Sequence, residues 1–172
     1  YKTKDGGILN INSRSEFAGL DFQTQNYQVA AGKQILKEKS NMNNKPVLLD
    51  TCIWIEYFRD GRSDIADDAE RLIQDKMAVT CGIVLHELSF GIKDEEEKIE
   101  LLDSLDGLEY LEMTSELWIK SGIFSKNLRK LGVNIPLSDV LLGFIAIEYN
   151  MPLFTIDKHF EQILDLKSYK EI

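Results

Sequence analysis

The chain predicts an α/β domain of three layers, with a central, mostly parallel sheet of four to five strands between layers of helices. Short apolar runs suited to strands buried on both faces alternate with longer stretches at helical spacing. Glycine, asparagine and proline stops separate them, at Gly61, Gly91, Gly132, Asn150 and Pro152. At 172 residues, 44% hydrophobic and 28% charged, the chain suits one globular domain with its own core and is too short for two ordinary ones.

Residues 1–45 stand apart. They are polar, with one helix-like stretch near 27–39, and Met42 directly before Asn43-Asn44-Lys45-Pro46 suits a native start. We expect them to lie outside the core, as an N-terminal extension, an added sequence or a partner-derived segment, and 46–172 to form the domain.

In the domain, 47–50 reads as a first buried strand, and 52–59 as a helix with Ile53, Trp54, Tyr57 and Phe58 at helical spacing. A second helix spans 63–75 and a second strand 77–80. The next helix contains Glu87 and ends near Gly91, with Leu85, Leu88 and Phe90 suggesting a helix largely packed into the core. Residues 94–105 form an amphipathic helix whose acidic first turn suits the helix dipole, and 108–113 suits a strand. Thr114 caps a helix that runs to Leu131, where Gly132 stops it. A strongly apolar helix covers 136–149, then a strand 153–156, a short helix 158–163 and a last strand 166–169.

Four acids occupy telling places in this order. Asp50 and Asp157 end predicted strands, while Glu87 and Asp139 lie in early turns of helices that lead back over the same sheet edge. Ligands of parallel sheets bind beyond the carboxyl ends of the strands, where strand order reverses. Each acid alone has a plainer explanation: Asp50 and Asp157 as helix caps, Asp139 as a favourable charge at a helix start. Glu87 resists one, because an unpaired carboxylate on a core-packed helix is costly. Jointly they suggest an acidic pocket. Gathered carboxylates repel unless a cation sits among them, and all-oxygen ligation suits Mg²⁺ or Mn²⁺. Such a site supports in-line attack of water on a phosphate ester. Thr51 and Thr155 serve equally as hydroxyls that orient these carboxylates or as turn and cap residues.

Other signatures fail. His86-Glu87 lacks the second histidine of HExxH, since Phe90 stands there, and no GxxxxGK[ST] or GxGxxG is present. Cys52 and Cys81 form no ligand cluster and read as small core residues of a reducing cytoplasm. His159 suits a surface or packing role at least as well as a substrate contact, and Trp54 and Trp118 suit the core. Lys120, Lys126, Arg129 and Lys130 lie along one helix, read first as a solvated face and second as a phosphate-contacting stripe. The net charge of -9 argues against a broadly basic nucleic-acid surface, so any RNA contact is local. No apolar run is long enough to span a bilayer.

The segments Val-Leu-Leu-Asp-Thr-Cys-Ile-Trp-Ile, Leu-His-Glu-Leu-Ser-Phe-Gly, Pro-Leu-Ser-Asp-Val-Leu-Leu-Gly-Phe-Ile-Ala and Phe-Thr-Ile-Asp-Lys-His-Phe follow one another in an order and spacing that resemble the PIN-domain family. Within it, the chain resembles the VapC-type toxins of toxin–antitoxin pairs. The resemblance covers about 46–172. It implies a Mg²⁺- or Mn²⁺-dependent endoribonuclease with Asp50, Glu87, Asp139 and Asp157 as metal-binding carboxylates, and it matches Thr155 to a hydroxyl position. It further implies a homodimer restrained by a cognate antitoxin, whose tail would lie over the acidic groove near Trp54, Tyr57 and Phe58. A housekeeping PIN nuclease of RNA maturation is one rival. The other is a non-catalytic acidic module of receiver type, for which Asp50-Thr51 does not supply the paired acids.

Overall fold

Val47–Leu49 (β1) is apolar throughout and wholly buried, as expected of a strand with neighbours on both sides and layers on both faces. The computed structural model describes residues 45–59 and 63–169. The extension expected over residues 1–45 lies outside them, apart from Lys45. β1 pairs in parallel with Ala78–Cys81 (β2), Val47 opposite Ala78, and with Leu153–Phe154 (β4), Leu49 opposite Phe154. Glu109–Leu111 (β3) pairs in parallel with β2, giving one four-stranded sheet of order β3-β2-β1-β4. Strand order thus runs outward from β1 to β3, and β4 returns to the other side of β1. The reversal falls between β1 and β4.

Helices Thr51–Phe58 (α1), Asp64–Gln74 (α2), Gly82–Gly91 (α3), Glu95–Leu105 (α4), Ser115–Lys130 (α5) and Leu137–Glu148 (α6) complete the three-layer α/β/α fold. Their starts follow local chemistry: Ser63, Asp94 and Thr114 each accept a backbone N–H of the first turn. Gly132, at φ 81°, ends the turn after α5 in a left-handed conformation that glycine adopts without strain. α1 packs on α2 and α3, and α5 packs on α6 with Phe124 and Phe144 rings 5.6 Å apart.

Three expectations need correction. The strand expected over 166–169 is a single parallel bridge, Leu153 to Ser168, because Asp165 turns the chain at φ 66° and β4 offers only two residues to pair with. Tyr169 still anchors the segment, its ring 4.7 Å from Phe154. Trp118 and Phe90 are exposed rather than core, since α5 buries Leu117, Ser121 and Leu128 and α3 buries only Val84 and Leu88. Trp54 is fully buried against Tyr57 and Phe58, so it belongs to the core and not to a surface strip.

The helix after β4 is a 3₁₀ turn, Lys158–Gln162, capped by the Asp157 carboxylate through the His159 N–H. Buried Phe160 and Ile163 clamp it onto α6. The approach is close at Gly143, where a Cβ would stand 2.6 Å from Ile163 Cδ1. Gly143 lies one helical turn beyond Asp139, so this contact sets how near the residues after β4 come to Asp139. Gly143→Ala is expected to cost about 1–3 kcal/mol by overpacking. Ile163→Val, which removes Cδ1, should make the double variant less destabilised than the sum of the singles, as urea midpoints would show.

Candidate metal centre

Parallel register decides the first contact. Because Leu49 and Phe154 are partners, the next residues, Asp50 and Thr155, emerge side by side at the carboxyl end of the sheet. Asp50 N–H donates to Phe154 O at 3.0 Å, and Thr155 Oγ1 donates to Asp50 Oδ2 at 2.6 Å. Asp50 occupies the N-cap position of α1, yet its side chain makes no capping hydrogen bond. It is buried, 7% exposed, and its Oδ2 also accepts from Cys52 Sγ at 3.1 Å. Burial pushes its carboxyl above the ordinary range, and the Glu87 charge adds to the rise against the Thr155 and Cys52 hydrogen bonds.

Thr51 reaches from α1 to α3, donating to Glu87 Oε2 at 2.6 Å. Both threonines therefore engage carboxylates. Thr155 also makes a turn bond, accepting from Asp157 N–H at 3.0 Å.

Asp139 stands in the first turn of α6 and accepts from Ser138 Oγ at 3.2 Å. Burial raises its carboxyl too, offset by the Ser138 hydrogen bond and by His159 and reinforced by the charges of Asp157 and Asp50. His159 Nδ1 lies 3.2 Å from Asp157 Oδ1 and 3.4 Å from Asp139 Oδ2. The donor atoms of Asp139, Asp157 and His159 all fall within 4.8 Å of one another. Among the described residues, that is the one such group of three, and neither Asp50 nor Glu87 is in it. The predicted acids thus fall into two sets: Asp139 with Asp157, and Asp50 and Glu87 held at the side by hydroxyls. Mutual charge effects still join Asp50 to Glu87 and to Asp139.

Among the described residues, no lysine or arginine forms an ion pair with any of the four acids; only the His159 imidazole stands beside two of them. A mutually repelling set of hard oxygen donors, with Asp50 buried among them and no lysine or arginine paired to any, fits a divalent cation. The converging donor atoms of Asp139, Asp157 and His159 form a cluster that could coordinate one.

Two participants were not among the site residues predicted from the sequence. Cys52 reads as core from composition, but it is only half-buried, and its thiol, pushed up to about 11 chiefly by burial and then by the Asp50 charge, stays a protonated donor near neutral pH. Its signal was its place in the first turn of the helix that follows Asp50. His159 had a comparable signal, two residues beyond an acid that caps a turn. Lys120 is held by Glu116 and Glu148, 3.3 Å each, as its solvated-face reading implies.

A groove of about 430 Å³ begins at Thr51 and Glu87 and runs between α1, α3 and α4. Ile55, Phe58, Leu88 and Ile92 form its apolar lining.

The family model for the PIN domain matches residues 47–165, from β1 to just past the 3₁₀ turn. The chain belongs to the PIN-domain family. Its solved relatives share the fold over about 70% of the chain. VapBC-1 from nontypeable Haemophilus influenzae is 26% identical with TM-score 0.57, the match covering 71% of this chain and 95% of that one. VapBC2 from Rickettsia felis, solved bound to a DNA fragment from its promoter, is 24% identical with TM-score 0.61, covering 71% and 96%. FitAcB from Neisseria gonorrhoeae is 17% identical with TM-score 0.53, covering 72% and 96%. No curated protein matches the chain by sequence. All four acids and His159 of this PIN domain lie within the matched segment. Among the described residues, no helix is long and apolar enough to cross a membrane.

The raised carboxyls set a sign for pH dependence. Just above the ordinary carboxylate range, the folded protein still holds protons at Asp50 and Asp139 that the unfolded chain has lost. These two groups therefore make the metal-free PIN domain less stable as pH rises through that window. In EDTA, Asp50→Asn should raise the melting temperature by a few degrees at pH 7 and by less near pH 4, as paired thermal melts would show.

Proposed function

We propose that this PIN domain is a Mg²⁺- or Mn²⁺-dependent endoribonuclease, the toxin of a type II toxin–antitoxin pair acting in the cytoplasm. The observation that carries the reading is the acidic pocket itself: carboxylates unpaired by any described lysine or arginine, Asp50 among them buried, at the strand-order reversal of a PIN fold. The likeness to VapBC-1, at 26% identity, supports the assignment to a toxin, as does the order of the sequence motifs.

Asp139 and Asp157 would hold the cation, with Asp50 and Glu87 completing the acidic wall. When bound, a divalent cation supplies positive charge to the scissile phosphate and lowers the pKa of an associated water. The chain's own residues keep the geometry. Thr155 and Cys52 fix one oxygen of Asp50, and Thr51 fixes one oxygen of Glu87, so neither carboxylate is free to rotate when charge builds up opposite it. Ser138 does the same for Asp139. Attack by water in line with the leaving oxygen would give a 5′-phosphate end without use of the 2′-hydroxyl. With a net charge of -9, the protein would meet RNA through a local contact at the cation.

The groove beside Glu87 suits the tail of an antitoxin. Its apolar lining accepts apolar side chains, and the Glu87 carboxylate at one end attracts a basic residue. A homodimer is the expected assembly of the toxin.

Asp50→Asn and Asp139→Asn should each lower RNA cleavage roughly a hundredfold or more while the circular dichroism spectrum is kept. EDTA should abolish cleavage, and Mg²⁺ or Mn²⁺ should restore it. Undiminished cleavage by either purified variant would falsify the assignment. Ile55→Asp should weaken binding of the antitoxin encoded next door by about tenfold, seen by calorimetry, with cleavage unchanged.

A further inference from the structure

We propose that His159 is a nitrogen ligand of this metal site and biases it toward Mn²⁺ over Mg²⁺. The inference rests on the metal pocket proposed above and goes further, because the carboxylates alone would make an all-oxygen site. Ligand bonds of about 2.1 Å at right angles place neighbouring donors roughly 3.0 Å apart in an octahedral shell. His159 Nδ1 stands 3.2 Å from Asp157 Oδ1 and 3.4 Å from Asp139 Oδ2, so shifts of a few tenths of an ångström bring the imidazole to neighbour spacing with each carboxylate, and all three donor atoms already lie within 4.8 Å of one another.

The backbone prepares this position. Asp157 accepts the His159 N–H at 2.8 Å, which fixes the start of the 3₁₀ turn, and the next residue, Phe160, is buried. The imidazole is thereby held over the acids while its side chain stays half exposed, at 51%, leaving Nε2–H to water. Imidazole nitrogen is a softer donor than carboxylate or water. It strengthens binding of first-row transition ions far more than binding of Mg²⁺, which prefers oxygen. The plainer alternative is that a charged His159 merely neutralises Asp139 and Asp157. In that case it competes with the cation instead of binding it, and the two roles predict opposite effects of its removal.

The experiment is a Mn²⁺ titration of the full chain followed by electron paramagnetic resonance, with Mg²⁺ competition and pulsed detection of ¹⁴N coupling to bound Mn²⁺. The chain has two histidines, so His86→Ala is the control for His159→Ala. Losing an outer partner of a metal ligand commonly costs 10–100-fold in affinity. Losing a direct ligand should therefore raise the Mn²⁺ dissociation constant by at least about tenfold. Mg²⁺ affinity should change far less, so the selectivity ratio falls by a similar factor. Strong ¹⁴N coupling should be present in the wild type and in His86→Ala and absent in His159→Ala. Mn²⁺ binding without ¹⁴N coupling, or binding unchanged or tightened in His159→Ala, would overturn the assignment of His159 alone. Failure of the wild type to take up Mn²⁺ would remove the metal pocket itself, and this inference with it. Should His159→Ala melt early, the wild type and His86→Ala spectra still decide the question.

Discussion

The hydrogen bond from Thr155 to Asp50 joins residues 105 apart in the chain and depends on one feature of the sheet, the parallel register of β1 with β4. A slip of one residue would turn Asp50 and Thr155 to opposite faces of the sheet. The register therefore places a hydroxyl against a buried carboxylate. A charge-assisted bond of this length is stronger than a neutral one, and it satisfies an acid that would otherwise be costly to bury. Asp157 lies two residues further along, with its backbone tied to the same hydroxyl. One bond thus connects the core of the sheet to both halves of the acidic cluster.

That cluster contains a conflict the fold does not resolve by itself. Burial and mutual repulsion both push Asp50 and Asp139 toward the protonated form. The fold supplies hydroxyl and thiol donors to Asp50, Glu87 and Asp139, yet among the described residues only His159 brings a side chain able to carry positive charge. Pinning the carboxylates while leaving them short of positive charge is a poor solution for stability alone. It is a good one for a site that binds a cation and then a phosphate, since the donors are already ordered when the ligand arrives.

Packing on α6 supplies the other half of the geometry. The helix presents Asp139 at its start and, one turn later, a glycine whose missing side chain admits Ile163. This seats the 3₁₀ turn closely enough for His159 to face two carboxylates. The α1 surface shows a related division of labour: Trp54 turns inward to the core, leaving Ile55 and Phe58 to line the groove next to Glu87.

Much of this protein was legible in its residues. Hydrophobic periodicity, caps such as Thr114 and stops such as Gly132 are local properties, so the order and type of nearly every element followed from the sequence. The oxygen-rich character of the site followed from the identity of Asp50, Glu87, Asp139 and Asp157. Tertiary structure alone decided which of them meet. It grouped Asp139 and Asp157 with His159, drew Asp50 to Thr155 and Cys52, and bound Glu87 to Thr51. It also left Trp118 and Phe90 outside and reduced the last strand to one bridge. The physical reason is the same in each case. Residue type sets what a group can do, but ångström-scale distances between remote segments come from sheet register and close packing, which no local pattern encodes.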